Sequence, residues 1–300
     1  MECPACGYSL KEKFPLCNEH SVTYKRKTHI FSIYQCPECH SEFADPMKSA
    51  PPDWYSYMGE YYGWRWEFAE FLKDIKTLLH TGKVLEVGCG EGIVLNKLKR
   101  YDTIGLDFNN NAIEKAKAKG LKVYPMTVEE FSRQFPLIRF KAVAFFHVLE
   151  HIESPQDFLR NIKGFLDKDG LIFLSVPNPN RIRLVLSRED WDYPPHHLLR
   201  FSVNGLLKLL DRGGFKILKI KEQPKDLPLL HITSTVELDK FINRTMHIDV
   251  MRFGRLSRNV LRLPFFIPFN LVNFFTVMKT IIRHMGKSGT ALYLVAQKEG

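Results

Sequence analysis

Cysteine is nearly absent past residue 39. Of six in the chain only Cys89 lies beyond it, and four of the other five sit in CxxC pairs. That distribution argues against a disulfide framework and, in a reducing compartment, for metal ligation. The opening MECPACGYSL lacks a basic stretch followed by an apolar one, so no secretory signal is visible and a cytoplasmic location is expected. Long apolar runs are missing too. The segment 263–278 carries no charge, but its sixteen residues fall short of the roughly 20 that span a bilayer, and two prolines and two asparagines interrupt it. No internal repeat or low-complexity tract stands out.

What is present suits one large α/β domain with an appendage: 300 residues, 45% hydrophobic and 25% charged. The net charge of +10 fits an anionic partner such as nucleic acid or a phospholipid surface. It fits equally an enzyme that is merely basic, and composition leaves both open.

Residues 1–50 are cysteine-rich and loop-heavy and are expected to form a zinc-ribbon-like module. Residues 51–80 read as an aromatic and then helical linker: Trp54, Tyr55, Tyr57, Tyr61, Tyr62, Trp64 and Trp66 precede an amphipathic stretch, Glu67 to Leu79. From Lys83 the pattern alternates. Strands are expected at 83–87, 103–107, 122–124, 142–146 and 171–176, with helices near 92–99, 111–118, 128–135 and 155–166. Such βαβ alternation implies a parallel sheet with right-handed crossovers. Two further strands, 214–220 and 290–297, complete a domain over 81–224 and 289–300. Residues 225–288 form an apolar insertion, read either as a helical cap over a substrate pocket or as an interfacial membrane contact flanked by Arg252, Arg255, Arg258, Arg262, Lys279 and Arg283.

The sharpest signal is Val84-Leu-Glu-Val-Gly-Cys-Gly-Glu-Gly92. Gly88, Gly90 and Gly92 let the backbone turn tightly and approach a ligand where a Cβ would collide. A dinucleotide fingerprint beginning at Gly88 would need glycine at 93, which is Ile93, and no Gly-Lys-Ser/Thr follows to make a phosphate loop. Glu86 just before the turn would repel a pyrophosphate, yet suits a ligand carrying a sulfonium and an ammonium. Asp107 closes the second strand, where an acid can accept hydrogen bonds from both hydroxyls of a ribose, or simply cap the next helix. Cys89 reads as a small buried residue rather than a nucleophile.

Glu86-Val-Gly-Cys-Gly-Glu-Gly92, Gly105-Leu-Asp107 and His147-Val-Leu-Glu-His151 together resemble class I methyltransferases of the small-molecule, ubiquinone-biosynthesis-like group, over about residues 80–225. The resemblance implies a doubly wound, mostly parallel, seven-stranded Rossmann-like sheet whose last strand is antiparallel, and S-adenosylmethionine as cofactor. It implies that Glu86, Gly88 and Gly90 contact the methionine part and Asp107 the ribose, with Cys89, Phe108 and His147 completing the expected cofactor shell. Two departures concern the adenine contacts. The acid that often follows the third strand is absent (Pro125-Met-Thr-Val128), and Phe140-Lys141 stands where Phe-Asp is common.

Methyl transfer from a sulfonium is an in-line displacement, in which the protein positions the nucleophile and removes a proton from a hydroxyl or amine. Histidines at the sheet's C-terminal edge are the candidates, namely His147 after the fourth strand and His196 and His197 in Pro194-Pro-His-His197. Local structural hydrogen bonding is the competing reading. His147-x-x-Glu150-His151 also resembles an E-x-x-E-H metal set of some methyltransferases, completed there by a downstream histidine. Here histidine replaces the first glutamate, and anchoring by hydrogen bonds is the favoured role of His151.

Cys3-Pro-Ala-Cys6 and Cys36-Pro-Glu-Cys39 supply paired thiolates for a tetrahedral structural Zn²⁺. A Cys3, Cys6, Cys17 and His20 site, similar to the finger of certain ribosomal RNA guanine methyltransferases, is the alternative. Three functions follow: methylation of a small or lipid-linked acceptor, with peripheral membrane contact left open; methylation of RNA gripped by the module and a basic surface; and a cofactor-binding module without catalysis. Nothing in the sequence sets the oligomeric state.

Overall fold

The computed structural model describes residues 1–11, 15–24, 27–49, 51, 63–179, 192–224, 238, 242 and 289–300. The chain divides into two compact units. One comprises Met1–Pro179, Asp190–Gln223 and Ala291–Gly300, and the other Asn180–Glu189 and Pro224–Thr290. Most of the expected apolar insertion, and Trp54, Tyr55, Tyr57, Tyr61 and Tyr62, lie outside the described residues. Of the insertion's interior only Leu238 and Ile242 are described, both helical and buried.

The first unit is built on a seven-stranded sheet. Its strands are β4 (Lys83–Val87), β5 (Asp102–Leu106), β6 (Val123–Tyr124), β7 (Phe140–Phe146), β8 (Leu166–Pro177), β10 (Phe215–Glu222) and β11 (Ala291–Lys298), in the order β10-β11-β8-β7-β4-β5-β6. Strands β6, β5, β4, β7 and β8 pair in parallel, and β11 runs antiparallel to both of its neighbours. This is the expected fold class. The central strands are near-continuous apolar runs because helices cover both faces. Along β7 the side chains alternate between layers. Val143 and Phe145 join α3 (Val128–Gln134), α4 (Pro155–Phe165) and α5 (Val203–Arg212), whereas Ala142, Ala144 and Phe146 meet Phe71 and Ile75 of α1 (Trp66–Leu78).

Local chemistry sets the helix starts. Asn109 caps α2 (Asn110–Ala118), Thr127 and Glu130 form a capping box on α3, and Ser202 accepts the Gly205 amide at the head of α5. The helix expected over 92–99 is instead a series of turns ending in one 3₁₀ turn, Leu95–Lys97. Gly88, Gly90 and Gly92 all have positive φ (74°, 50° and 72°), which carries the turn past the point where a helix could begin. Residues 149–151 likewise form a single 3₁₀ turn.

A second sheet, β1-β2-β3-β9, joins the N-terminal β1 (Cys17–Tyr24), β2 (Lys27–Gln35) and β3 (Glu42–Asp45) to β9 (Leu199–Arg200), which comes from the other end of the domain. Glu42 pairs with Arg200 and Phe43 with Leu199. Cys3, Cys36, Cys39 and Phe43 pack in the same apolar cluster as Leu206 and Leu209 of α5, so the cysteine module shares its core with the α/β domain. Among the described residues no helix is long and apolar enough to cross a membrane.

Candidate functional site

β4 delivers its C-terminal end to the glycine turn, and the end of β5 holds it. The amides of Gly88 and Cys89 both donate to the Leu106 carbonyl, at 2.8 and 3.0 Å. Asp107 accepts the Gly90 amide on Oδ2 and the Asn109 amide on Oδ1, each at 2.8 Å. A Cβ on Gly88 would lie 2.6 Å from Val148 Cγ2, so the segment after β7 packs directly on the turn. Gly105 serves the same end. A Cβ there would come within 2.7 Å of the Cys89 sulfur, which is buried and fills that space.

Electrostatics single out Glu86. It is 4% exposed, and its Oε2 is buried with no hydrogen-bond partner among the described residues. Burial raises its pKa well above the carboxylate range and Asp107 raises it further, offset in part by the Leu95 amide. Asp107 is also raised by burial, against the amides of Asn109, Gly90 and Phe108. Two buried acids beside a glycine turn, one with an oxygen that has no hydrogen-bond partner among the described residues, suit a positively charged ligand. The ammonium and sulfonium of S-adenosylmethionine fit them. Burial also raises the Cys89 thiol, reinforced by Glu86 and Asp107, so this sulfur is no thiolate. Phe108, next to Asp107, is a large apolar side chain left 43% exposed.

His147 stands at φ 52°, uncommon for a residue with a Cβ. Its Nε2 bonds to Glu67 Oε1 at 3.0 Å and its Nδ1 to Glu150 Oε1 at 3.2 Å. Burial disfavours the cation, but the bonds and charges of Glu150 and Glu67 outweigh it and raise the pKa. Burial likewise works against Glu150, yet the His147 cation pulls that carboxyl down to about 2. The result is an imidazolium clamped between two buried acids, with both ring nitrogens in use.

His151, His196 and His197 come together on the far side of Glu150, each ring centroid 4.7–4.8 Å from the other two. His151 Nδ1 bonds to the His196 carbonyl at 2.5 Å, and His197 Nδ1 to Asp192 Oδ1 at 2.9 Å. The Leu198 amide donates to the Glu150 carbonyl at 2.8 Å, which ties the histidine loop to the turn after β7. Burial first, then the neighbouring imidazoles, lower His151 to about 4 and His196 to about 2. Both rings are therefore neutral at pH 7.

The thiols of Cys3, Cys6, Cys36 and Cys39 converge within 4.8 Å of one another, with Cys3–Cys39 at 3.7 Å and Cys6–Cys36 at 3.5 Å. Two like knuckles present them. Gly7 donates to the Cys3 carbonyl and His40 to that of Cys36, both at 2.9 Å, with positive φ at Gly7 and His40. All six cysteines are free thiols, and four clustered thiols match the donor set of a tetrahedral ion. Cys17 and His20 are not in this cluster; His20 Nε2 bonds to the Pro194 carbonyl at 2.8 Å. The cluster is wired to the histidine loop. The Ser202 hydroxyl donates to the Cys39 carbonyl, the Ser202 amide to Ser41 Oγ at 3.0 Å, and Glu38 pairs with Lys208 of α5.

Two residues in this arrangement escape the sequence reading. Glu67 shares a helix face with Phe71, Asp74 and Ile75, all buried, so an acid on an apolar stripe was the available signal. Asp192 precedes His197 by five residues in a loop, and no periodicity announces it.

Comparison with known proteins agrees with this geometry. A family profile described as a methyltransferase domain matches residues 62–220, more than half of the chain. The chain is similar to ubiquinone biosynthesis O-methyltransferases. The one from Glaesserella parasuis serovar 5 is 29% identical over 119 residues, covering 36% of this chain and 50% of that protein. The one from Proteus mirabilis is 31% identical over 107 residues, covering 33% and 43%. This chain thus spans about half the length of the curated relatives it matches. Among solved structures, a SAM-dependent methyltransferase from Archaeoglobus fulgidus aligns with a TM-score of 0.51 at 18% identity, over 77% of this chain and 92% of that one. Phosphoethanolamine N-methyltransferase 2 of Haemonchus contortus aligns with a TM-score of 0.50 at 12% identity, over 78% and 52%. At those identities the likeness is one of fold. The chain belongs to the methyltransferase-domain family and has the class I fold of S-adenosylmethionine-dependent methyltransferases.

Proposed function

We propose that the chain transfers the methyl group of S-adenosylmethionine to an oxygen of a small or lipid-linked acceptor. The observation that carries this reading is the orphaned, buried Glu86 carboxylate beside Asp107 at the glycine turn, a site that wants a positively charged ligand. The cofactor would supply an electrophilic methyl carbon, attacked in line by the acceptor oxygen as the carbon–sulfur bond breaks and the demethylated thioether leaves, with the acceptor's proton lost to a base.

Glu86 and the turn at Gly88 and Gly90 hold the methionine end, Asp107 takes the ribose hydroxyls, and Phe108 offers its face to the adenine. His147, with both nitrogens engaged, positions the segment that packs on the turn rather than serving as base. His196 and His197 face the acceptor. The oxygen preference draws support from the similarity to ubiquinone biosynthesis O-methyltransferases. The four-cysteine cluster holds a structural Zn²⁺ that fixes β3 and β9.

The test is calorimetry of the purified chain with S-adenosylmethionine, its demethylated product and NAD. Binding of the first two and not the third is expected. Heat with NAD alone would overturn the reading. Turnover is then sought with phenolic and hydroxylated acceptors, by release of the demethylated product.

A further inference from the structure

We propose that His151, His196 and His197 form a second metal site, separate from the cysteine cluster, for a divalent first-row transition ion of the zinc, cobalt or nickel kind. Each of the three side chains offers a ring nitrogen, and these nitrogens lie within 4.8 Å of one another. Such spacing suits three ligands around one ion, since metal–imidazole bonds are about 2.0–2.1 Å.

The hydrogen bonds behind the rings are those a ligand needs. A carbonyl oxygen only accepts, so the bond from His151 Nδ1 to the His196 carbonyl puts the proton on Nδ1 and the lone pair on Nε2. The Asp192 carboxylate does the same for His197. Metal-binding histidines nearly always direct the second ring nitrogen to a carbonyl or carboxylate in this way, which fixes tautomer and ring plane and makes the ligand more basic.

A second observation stands apart from the histidines. Glu150 is fully buried, its Oε2 has no hydrogen-bond partner among the described residues, and its charge acts on both His151 and His197. A buried negative charge of this kind compensates a cation seated among the three rings. Glu67 and Glu150 occupy both nitrogens of His147, which keeps that residue out of the ligand set. The site is therefore not an E-x-x-E-H arrangement, whose acids favour hard ions such as Mg²⁺. Three imidazole ligands select a borderline transition ion instead. With three protein ligands such an ion keeps an open position. If the methyl-transfer reading holds, an acceptor oxygen fits there, but metal binding does not depend on that reading.

The experiment uses the full chain, loaded with zinc and desalted. Elemental analysis is expected to find an ion beyond the one removed by Cys36→Ser with Cys39→Ser, and His196→Ala should release it while the cysteine-bound ion stays. Cobalt added to zinc-loaded chain should give ligand-field bands without a thiolate charge-transfer band. Asp192→Asn, which leaves all three ligands in place, should weaken cobalt binding about 10- to 100-fold. Calorimetry with the demethylated cofactor reports folding of each variant and tests the methyl-transfer reading separately. A chain that binds cofactor but holds no ion outside the cysteines overturns the site, as does cobalt binding indifferent to both His196→Ala and Asp192→Asn.

Discussion

The carboxylate of Asp107 accepts the amide of Gly90 at 2.8 Å, so the acid expected to meet a ribose also holds the glycine turn in shape. A carboxylate can accept about four hydrogen bonds, and the amides of Gly90, Asn109 and Phe108 act on this one. Asp107→Ala removes both roles at once. Hydrogen bonds to a charged group contribute about 1.5–3 kcal/mol, so cofactor affinity should fall at least about tenfold. Calorimetry with the demethylated cofactor checks it, and an unchanged Kd would remove Asp107 from the site.

Gly88→Ala meets two obstacles. Its φ of 74° costs an L-residue about 1–2 kcal/mol, and the new methyl would sit 2.6 Å from Val148 Cγ2. Cofactor binding and melting temperature should both drop. Val148→Ala in the same chain should restore part of the loss, the steric part. A double variant no better than the single one would show that the two segments do not press on each other.

The imidazolium of His147 ought to be visible directly. With burial opposed and overcome by Glu150 and Glu67, both ring nitrogens should show protonated ¹⁵N shifts at pH 7. Glu67→Ala should lower the pKa of His147 and destabilise the chain by about 1.5–3 kcal/mol in chemical denaturation. Nitrogen shifts that stay those of a neutral ring in the parent protein would refute the clamp.

With no ion at the three histidines, acid sensitivity follows from His151 and His196. The unfolded chain takes up a proton on each near pH 6.5, whereas the folded chain holds off to about 4 at His151 and about 2 at His196. Between pH 6.5 and 4 the unfolded state therefore binds more protons, and stability falls as pH falls. Melting temperature should decline over that range, and His196→Phe should flatten the decline. A slope equal to the parent's would count against a neutral, half-buried His196.

Much of the fold could be read in advance because it is written locally. The expected strand 83–87 coincides with β4, and the Thr127–Glu130 box and Pro155 start helices where expected. The glycine turn was legible because small residues and a leading acid have few other uses in that pattern. What escaped depends on contacts between distant parts of the chain. Glu42–Arg200 and Phe43–Leu199 join segments more than 150 residues apart, and a strand of two residues has no periodicity to detect. Glu67 meets His147 across 80 positions. The helix expected over 92–99 failed for the opposite reason, since three left-handed glycines at alternate positions outweighed the apolar spacing of Val94, Leu95 and Leu98.

Loss of the ion proposed for the four cysteines should be felt at the histidine loop. Ser202 caps α5 and also bonds to Ser41 and the Cys39 carbonyl. Cys36→Ser with Cys39→Ser should raise amide hydrogen exchange over residues 196–206 as well as in the knuckles. Protection unchanged outside the knuckles would show that the two regions are independent.

The β3–β9 pairing makes the first fifty residues something other than a detachable tag. A chain cut just before residue 51 would leave Leu199 and Arg200 as a bare edge, strip Arg200 of its Glu42 partner and uncover the apolar side of α5. Evolution could not have appended or discarded this module in one step without repairing that wound. A natural homologue that begins near residue 60 should therefore carry polar replacements at Leu199, Leu206 and Leu209, or a different segment laid over them.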